Sequence, residues 1–553
     1  MLFFKILLNL VAFYTLSILN LSTITLLSAG EYYVAPDGND LNSGTIDHPW
    51  QTIHKANLEL QPGDIVYIRE GHYKETIRPS RSGREQAPIT YSQYANEVAV
   101  VHSRPEGVQL SGCRYIIIQE LHFENCTYFV RSYPEGFDHC IIQNCVMKKQ
   151  TGWCGIEIGD GCSYNKILDN YIDSFSIEGD CIHIGRDEIG EQFGAKHNLV
   201  ANNECTGAMH SGICCAGDKT QFNIIRNNYV HDIGDINIVT GALTSWVLIE
   251  DNRCHNSGID PDGACAIQIR SEKSIVRRNI LTRDIDVDIE KDAAALELQA
   301  TIERPYVRQN KIYHNVIYNF NQGNTRWDGI KLAVYDTNVQ FGTNIFKNNI
   351  IYKNGIGNSR GYQIAYSRVV NTLPDDLFDG NLIRGNLTNE NVIYFFEYNK
   401  QNLTLEQAKQ RHPAIFLTKN IDTSPLFINE NNFNFHLRES SPCIDGGSFL
   451  TKTMIAGSGN QIQVKDAGYF CDGWGITDGD IIRVASQKPA KIVRIDYDNN
   501  ILIIDQSLNW QQGDPVSLNY FGEAPDIGAY EYFESGGDAL APFPPQNVKV
   551  INP

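Results

Sequence analysis

This sequence has few positively charged residues for its length. Its 553 residues include 46 lysines and arginines against 65 aspartates and glutamates, which gives a formal net charge of -19 at pH 7. A nucleic-acid-binding protein needs a basic surface, so this balance excludes that class. A polyanionic ligand would need a local group of lysines or arginines, or a bridging cation.

Long hydrophobic runs are also missing after residue 30. The first 30 residues carry one early charge, Lys5, then an apolar run to Leu27 and three small residues, Ser28, Ala29 and Gly30. This pattern is typical of a secretory signal peptide, with an uncleaved membrane anchor as the alternative. We therefore expect a secreted protein, extracellular or at the cell surface, or else periplasmic. Once the signal is removed, we expect no contact with the membrane.

Cysteine pairs of the CxxC type are absent, although the chain has fourteen cysteines. Most of them are scattered between Cys113 and Cys265, and no group of cysteines and histidines has the spacing of a zinc site. Export would permit disulfides, but several cysteines fall in repeated strands, where small apolar side chains stack well. The sequence therefore predicts buried thiols in preference to a disulfide framework.

One phrase, by contrast, returns along most of the chain. Its clear copies read KILDNYI, LVANNEC, IIRNNYV, LIEDNRC, IVRRNIL, KIYHNVI and IFKNNII, and their aligned asparagines are Asn170, Asn203, Asn228, Asn252, Asn279, Asn315 and Asn349. Weaker copies place Asn144 and Asn386 in the same role. Successive copies lie about 24 to 37 residues apart, a period that indicates a solenoid. We expect each asparagine to bond to its equivalent in the next coil, and so to have a structural role only.

Each repeat also contains a second short strand in which apolar and polar residues alternate. These strands occupy residues 155–159, 181–185, 212–216, 242–246, 266–270, 295–299 and 329–333. Helical periodicity is absent, and short strands that return about every 25 residues match the coils of a parallel β-helix. The predicted fold class is therefore all-β: a parallel β-helix of about ten coils, with an N-terminal cap and a small C-terminal antiparallel β module.

Changes in composition divide the chain into segments. We assign a signal peptide (1–30), an N-terminal cap with the first coils (31–107), the β-helix (108–422), closing strands in two parts (423–448 and 522–533), an inserted small β-barrel or hairpin module (449–521), and a linker with the start of a missing module (534–553). A cap is expected because a stack of repeats must cover its end. In the inserted module, DNN and QGD turns join alternating strands.

The block YYVAPDGND, the coil repeats and the closing SPCIDGG and PDIGAYEY resemble secreted bacterial right-handed parallel β-helix proteins of the pectate-lyase-like superfamily. The resemblance covers nearly the whole mature chain. It implies a right-handed helix and a protein that acts on, or binds, polysaccharide along one face. It does not choose between lyases, hydrolases and non-catalytic members, because fold alone does not give function. The segment GACAIQIRS has Ala264 and Ala266 where related alginate lyases carry metal-binding acids.

When the second strands are stacked in register, they predict one outward column that faces solvent. It contains Glu157, His183, Cys214, Thr244, Gln268, Glu297 and Lys331, with Trp246, Arg270 and Gln299 beside it. The catalytic candidates are His183, His210, Arg270, Glu297 and Lys331, and the substrate-binding candidates are Glu157, Trp246, Gln268 and Gln299. Calcium is the one cofactor considered, and its candidate ligands are Asp180, Asp262 and Asp328, which lie just before the strands.

Two reactions fit these candidates. β-Elimination from a uronate needs a cation for the carboxylate, a base for the α-proton and an acid for the leaving oxygen. Arg270 and Lys331 suit the cation and the base, and His183 or His210 suits the base or the acid.

Hydrolysis needs a pair of carboxylates instead, for which Glu297 with Asp328, or Glu297 with Asp262, are the candidates. The leading hypothesis is an exported polysaccharide lyase that cleaves a uronate-containing glycan. A glycoside hydrolase and a non-catalytic, carbohydrate-binding or structural β-helix are the alternatives. In each case the expected partner is a polysaccharide, with no nucleic acid, and the expected state is a monomer.

Overall fold

The computed structural model describes residues 29–533, apart from 103–104, 177–178, 187–191, 261–264, 286–292, 321–325, 356–360, 368–374, 387–389 and 396–399. Residues 1–28 of the predicted signal, the tail 534–553 and the candidate ligand Asp262 therefore lie outside the described residues. Among the helices of the described part, none is both long and apolar enough to cross a membrane.

Three long sheets form the body of the molecule, and each coil contributes one strand to each of them in turn. The thirteen strands of the first sheet are Glu31–Val34, Ile65–Ile68, Ile89–Gln93, Ile116–Gln119, Ile141–Gln143, Lys166–Leu168, Leu199–Ala201, Gln221–Arg226, Ser245–Glu250, Ile275–Arg277, Lys311–Tyr313, Ile345–Lys347 and Leu377–Asp379. The twelve strands of the second are Gly71–Tyr73, Ala99–His102, His122–Glu124, Val146–Lys148, Tyr171–Ser176, Glu204–Ala208, Tyr229–Ile233, Arg253–Ser257, Ile280–Thr282, Val316–Tyr318, Ile350–Tyr352 and Leu382–Arg384.

The third sheet has twelve strands, of which the last is antiparallel to its neighbour. They are Glu106–Gln109, Tyr128–Arg131, Cys154–Ile158, Asp180–Gly185, Ser211–Ala216, Ile236–Thr240, Cys265–Ile269, Ala293–Ala300, Trp327–Val334, Ile364–Ser367, Ile393–Phe395 and Gln401–Leu403. Stacked strands of this kind confirm the predicted right-handed parallel β-helix. The coils number twelve to thirteen and not about ten, because strands within 31–107 already pair with the later ones.

Apolar side chains fill the inside of the coils. Isoleucine, valine and cysteine positions repeat from strand to strand, and rings stack where they meet, as in Phe346 and Phe378, whose centroids are 4.4 Å apart. A seven-residue helix, Ile53–Glu59, buries Ile53 and Ala56 at the N-terminal end, and the Thr52 side chain caps it. All fourteen cysteines are buried and none is in a disulfide, which confirms the prediction of buried thiols.

A ladder of buried asparagines holds the coils in register between the first and second sheets. Asn252 shows the pattern: its Nδ2 donates to Asn279 Oδ1 at 3.0 Å and to Ile225 O at 2.9 Å, and its Oδ1 accepts from Asn228 N and Nδ2 at 3.0 Å. The members are Asn170, Asn203, Asn228, Asn252, Asn279, Asn315, Asn349, Asn381 and Asn420. Each amide pairs backbone groups that would otherwise be buried without a partner, so the structural role predicted for the clear copies is confirmed.

The two weaker copies were predicted wrongly. Cys145 occupies the ladder position, since its N–H donates to Asn170 Oδ1, whereas Asn144 is the left-handed corner residue before it, with φ 53°. In the later coil Asn381 belongs to the ladder, and Asn386 is exposed. When a short motif contains several asparagines, its copies can be aligned wrongly by a few residues.

A second ladder, which the sequence analysis did not identify, lies just before the strands of the first sheet. Its members are Asn165, Asn198, Asn223, Ser274, Asn310, Asn344 and Asp376. Each of them lies five residues before a member of the first ladder. This spacing was visible in the sequence as a second asparagine before most copies of the repeated phrase.

The chain after the coils packs against three parts of the β-helix: its helix joins the main core, its hairpin packs against the second sheet, and its six-stranded sheet packs against the first. It contains a helix, Leu405–Arg411, a hairpin of Phe427–Asn429 with Asn434–Leu437, and a six-stranded antiparallel sheet of Thr451–Lys452, Gly457–Gln463, Ile481–Val484, Ala490–Asp496, Ile501–Trp510 and Pro515–Leu518. A further parallel pair, Tyr306–Arg308 with Gln340–Gly342, and two short 3-10 turns, Glu430–Asn432 and Gly473–Gly475, complete the described elements.

A buried charge fixes the six-stranded sheet to the β-helix. Arg277 is 1% exposed and forms ion pairs of 2.6 Å with Glu250 in the preceding coil and with Asp480, which directly precedes a strand of the six-stranded sheet. Tyr313 donates to Tyr469 O at 2.6 Å nearby. The six-stranded sheet is therefore fixed to the β-helix by paired charges and hydrogen bonds as well as by apolar packing.

Asn252→Ala tests the ladder. Removal of the amide leaves the Ile225 carbonyl and the Asn228 N–H buried without partners, so we expect the free energy of unfolding to fall by about 2–4 kcal/mol. Asn386→Ala is the matched control, because it removes an exposed asparagine from a repeat copy outside the ladder, and should be neutral. Urea unfolding followed by circular dichroism measures both, and equal effects would contradict the ladder's role.

Candidate functional site

The outer face of the third sheet carries most of the predicted site residues. Its register aligns Glu157 with His183, His183 with Cys214, and Cys214 with Val239. The column continues through Gln268, Glu297 and Lys331. Six of the seven predicted members therefore lie in one column, and Val239 takes the seventh place, which had been given to Thr244.

Trp246 does not lie on this face. The strand Ser245–Glu250 belongs to the first sheet, and the coil's third-sheet strand is Ile236–Thr240. Trp246 packs on Tyr497 of the C-terminal module, with ring centroids 4.5 Å apart. The prediction failed because residues 242–246 alternate like a strand, while the true strand is buried throughout and has little alternation.

The column is buried, which corrects the expectation that it faces solvent. His183 is 0% exposed, Glu297 2% and Lys331 5%. Partners in adjacent coils cover these groups, because charged side chains taken out of water must be paired. The face is therefore a set of internally paired polar clusters and not an evenly solvated surface.

The first cluster is a carboxylate shared by two histidines. Asp180 is fully buried, and its two oxygens accept from His183 Nδ1 and from His210 Nδ1, each at 2.7 Å. Burial by itself raises the pKa of Asp180, but the bonds from the two histidines outweigh it and lower the pKa below its usual value. The His210 side chain is 49% exposed, so this carboxylate orients one buried and one accessible imidazole.

Aromatic and arginine side chains that the sequence analysis missed surround this cluster. Trp153 is 42% exposed, and its ring centroid lies 4.5 Å from that of His183. Arg131 and Arg186 both contact Glu157, at 3.2 and 3.4 Å, and both guanidinium groups lie over the ring of Tyr133, which is 49% exposed. The predicted substrate-binding residue Glu157 therefore positions two cations. The only sequence signal for these residues was their place in or beside third-sheet strands.

The second cluster centres on Glu297. Lys331 Nζ lies 3.1 Å from Glu297 Oε1, and Gln268 Nε2 donates to Oε2. Burial alone lowers the pKa of Lys331, but the Glu297 carboxylate outweighs this and raises it above the usual value. A lysine that is held protonated suits charge neutralisation, and the role of neutral base predicted for Lys331 is not favoured here.

Arg270 and Gln299 lie beside this second cluster. Arg270 Nε donates to Gln299 Oε1 at 3.0 Å. Burial, reinforced by the charge of Arg304, lowers the pKa of Arg270. The predicted substrate-binding glutamine therefore orients the predicted cation.

The catalytic candidates thus form two groups that do not meet. The strand of Glu297 is four strands from that of His183 and three strands from the one that follows His210, and the strand of Lys331 is one strand further from each. At the usual spacing of strands the separations from Glu297 are about 19 and 14 Å. His183 and His210 cannot therefore act on the same sugar as Glu297 and Lys331.

The predicted carboxylate pair of Glu297 and Asp328 is also kept apart. Asp328 aligns with Ala294, three residues before Glu297, which is an offset of about 10 Å along the strand. This exceeds the separation of about 5 Å in retaining glycosidases. Asp328 is already occupied, since it accepts from Tyr362 N at 2.8 Å and from Arg326, and burial raises its pKa to about 6.

Calcium finds no oxygen-rich site among the described candidates. Asp180 and Asp328 lie on strands five apart in the third sheet, and each carboxylate has protein partners already. Asp180, His183 and Cys214 do place three donor atoms within 4.8 Å of one another, but one carboxylate, one imidazole and one thiol suit zinc better than calcium. No calcium-dependent step is therefore derived from these residues.

Comparison with known proteins supports the fold and its relation to pectate lyases. A family model described as "Pel9A-like, right handed beta helix region" matches residues 32–211, a segment that includes Asp180, His183 and His210. The uncharacterized protein YwoF of Bacillus subtilis is 25% identical over 471 residues, which are 75% of this chain and 92% of YwoF. The resemblance to pectate-lyase-like β-helix proteins is thereby confirmed.

Two relatives that bear the name pectate lyase are similar over shorter stretches. Pectate lyase PEL9 of Emericella nidulans is 36% identical over 86 residues, 15% of this chain and 20% of the enzyme. Pectate lyase L of Dickeya dadantii is 27% identical over 154 residues, 25% of this chain and 36% of the enzyme. The match therefore spans only a fifth to about a third of each enzyme. The crystal structure of pectate lyase Pel9A covers 92% of this chain and 97% of its own, with a TM-score of 0.46 and 13% identity.

Asp180→Asn tests the shared carboxylate. An asparagine offers one acceptor oxygen where two imidazole N–H groups need one each, so we expect a loss of about 2–3 kcal/mol in the free energy of unfolding at pH 7. Because the folded pKa of Asp180 lies below its usual value of 3.8, its contribution to stability is complete above pH 3.8 and is lost as the pH falls through the folded pKa. The gap between wild type and variant should therefore narrow in acid.

Asp169→Asn provides the matched control for that substitution. Asp169 occupies the left-handed corner position at which other coils carry Asn144, Asn202 and Asn227, so asparagine is already accepted there. Urea unfolding at pH 7 and in acid should show no effect for this variant. An equal loss of unfolding free energy in both variants would contradict the stabilising role of the hydrogen bonds that Asp180 accepts from the two histidines.

Proposed function

We propose that the protein cleaves a uronate-containing polysaccharide by β-elimination at the outer face of the third sheet, with His210 as the proton-transfer residue. The observation that carries this proposal is the Asp180 carboxylate, which holds the half-exposed His210 by its Nδ1 at 2.7 Å. An imidazole fixed in this way keeps one tautomer, and the exposed half of the His210 side chain is accessible to a substrate. The buried partner His183 holds the same carboxylate from the other side.

The surroundings of His210 suit an acidic sugar. Arg131 and Arg186 bring two guanidinium groups to this face; both contact Glu157, and Arg131 also pairs with Glu106 at 3.2 Å. Trp153 exposes ring area on which the apolar face of a sugar can stack, whereas the ring of Tyr133 is covered by the two guanidinium groups. Arg186 follows the strand next to that of His210, whereas Arg131 ends a strand three away, and Trp153 precedes the strand between these two. Arg186 therefore supplies the cation that elimination from a uronate requires beside His210.

The reaction has a simple balance. An arginine neutralises the carboxylate of the uronate, which makes the neighbouring C5 proton more acidic. His210 removes that proton, the C4–O bond breaks, and a C4–C5 double bond forms. A proton then passes to the departing oxygen, from protonated His210 or from water. No water is added to the sugar, which distinguishes this route from hydrolysis.

The relatives support a polysaccharide-active protein without fixing its substrate. Two of them bear the name pectate lyase, and the family model covers the segment that contains the His210 cluster. The glycosidase alternative lacks the same support, because Glu297 and Asp328 are offset and already paired. The signal-like residues 1–30 suit a secreted protein acting on an extracellular glycan, and we propose that it works as a monomer.

Incubation with a panel of uronate polysaccharides, followed by the ultraviolet absorbance of the unsaturated product, tests the reaction. Wild type should generate the absorbance, and His210→Ala should lower kcat by about 10²–10⁴-fold, the usual contribution of a general base or acid. Arg186→Ala should chiefly raise KM, since it removes a charge that attracts the carboxylate. His139→Ala is the matched control, because His139 is an exposed histidine that stacks between Tyr115 and Tyr164, outside the third sheet.

Three results would contradict this proposal. Formation of reducing sugar without the unsaturated product would indicate hydrolysis, for which Glu297 would be the candidate carboxylate. Binding of polysaccharide with neither product would indicate a non-catalytic β-helix. Full activity in His210→Ala, with the fold intact by circular dichroism, would exclude this residue as the proton-transfer group.

A further inference from the structure

A groove runs along the seam between the first sheet and the C-terminal six-stranded sheet, away from the third-sheet face. Two adjoining clefts of about 670 and 420 Å³ form it, and both are lined by Ile345 and Asp466. We call the two together the seam groove. It extends from the strand of Trp246 to that of Leu377, which is five strands of the first sheet and about 19 Å at the usual spacing.

The lining of the seam groove is strongly basic in an acidic protein. Seven lysines and only three aspartates line it, whereas the whole chain has a net charge of -19. The lysines are Lys273, Lys311, Lys347, Lys409, Lys419, Lys452 and Lys465. A concave surface with one sign of charge concentrates ligands of the other sign, and here the rest of the surface would repel them.

Only some of this charge is balanced within the protein. Lys311 pairs with Asp466 at 2.7 Å, Lys347 with Asp379 at 3.5 Å, and Lys409 with Glu406 at 2.6 Å. Lys419, Lys452 and Lys465 are exposed, and no ion pair joins them to a carboxylate within the part of the chain that the structure describes. Burial lowers the pKa of Lys347, and the charges of Lys311 and Lys465 add to that effect, as expected in a field of like charge.

The aromatic residues of the groove are already covered. Trp246 has Tyr497 on it at 4.5 Å and Lys273 at 5.5 Å, and Tyr469 has Lys311 at 4.9 Å and Lys347 at 5.5 Å from its ring centroid. Single-stranded nucleic acids need bare aromatic faces on which their bases stack. The groove therefore favours a polyanion that is held by its charges and hydroxyl groups.

We propose that the seam groove is a second, non-catalytic binding site for a carboxylated oligosaccharide, with Lys419, Lys452 and Lys465 contacting its carboxylates. The combined volume suits a short oligosaccharide. The choice of an acidic glycan over other polyanions rests on the proposed function. The basic lining itself does not depend on it. Such a site holds the polymer on the protein while the third-sheet face engages another part of it.

Binding of a fluorescently labelled hexagalacturonate to the His210→Ala protein tests this site without consuming the probe. We expect saturable binding that weakens as salt is added, and that the triple variant Lys419→Gln, Lys452→Gln, Lys465→Gln weakens by about tenfold or more. The triple variant Lys74→Gln, Lys400→Gln, Lys488→Gln removes the same charge from exposed positions outside the groove. This control should bind within about twofold of the parent.

Equal affinities of the two triple variants would overturn the proposal, and so would equally tight binding of a neutral cellohexaose. Equally tight binding of an oligothymidylate would overturn the assignment to glycans. Failure here is separable from failure of the proposed function. Wild-type cleavage without groove-dependent binding contradicts only the second site, and groove-dependent binding without any cleavage contradicts only the elimination reaction.

Discussion

The structure depends on buried amides that bond from coil to coil. In the ladder between the first and second sheets, each asparagine uses its oxygen and its nitrogen twice, once for the next side chain and once for the backbone. A slip by one residue would leave these groups unpaired inside the protein, where each costs about 1–3 kcal/mol. The ladders therefore set the register of every coil, and the side-chain columns on the outside follow from it.

That register explains why distant residues become neighbours on the third sheet. Asp180 and His210 are 30 residues apart in sequence, yet their side chains meet at 2.7 Å because they begin adjacent strands. Glu297 and Lys331 meet in the same way, on the strands three and four places beyond the one that follows His210. The strands of Cys214 and Val239 separate the two clusters with apolar side chains, so one face carries two independent polar centres.

Much of the fold and of the column could be predicted from the sequence, because a regular period indicates a solenoid and also shows which residues of successive coils align. The repeated phrase gave the β-helix and six of the seven members of the column. The strand 242–246 was assigned wrongly, since Ile236–Thr240 is buried on both faces and does not alternate. The sequence did not predict that the column is buried. Its burial depends on contacts between side chains of adjacent coils, such as Lys331 with Glu297, and these depend on side-chain conformation.

The missed residues of the site share a different reason. Arg131, Arg186, Trp153 and Tyr133 lie at strand ends or in the connections, where the period no longer fixes the position of a side chain. The seam groove was equally hidden, because its lysines come from the coils, the Leu405–Arg411 region and the inserted module, and only the packing of these three parts brings them together. Composition alone had shown an acidic protein, which says nothing about a local excess of the opposite charge.

The most direct test of the central claim is the mass of the products formed from an oligouronate of defined length. Elimination divides the substrate without adding water, so the masses of the two products must sum to that of the substrate, and the new non-reducing end must be unsaturated. The account predicts this result for wild type and its loss in His210→Ala. Products whose masses sum to the substrate plus one water would contradict elimination, and no products at all would contradict an enzymatic role for this face.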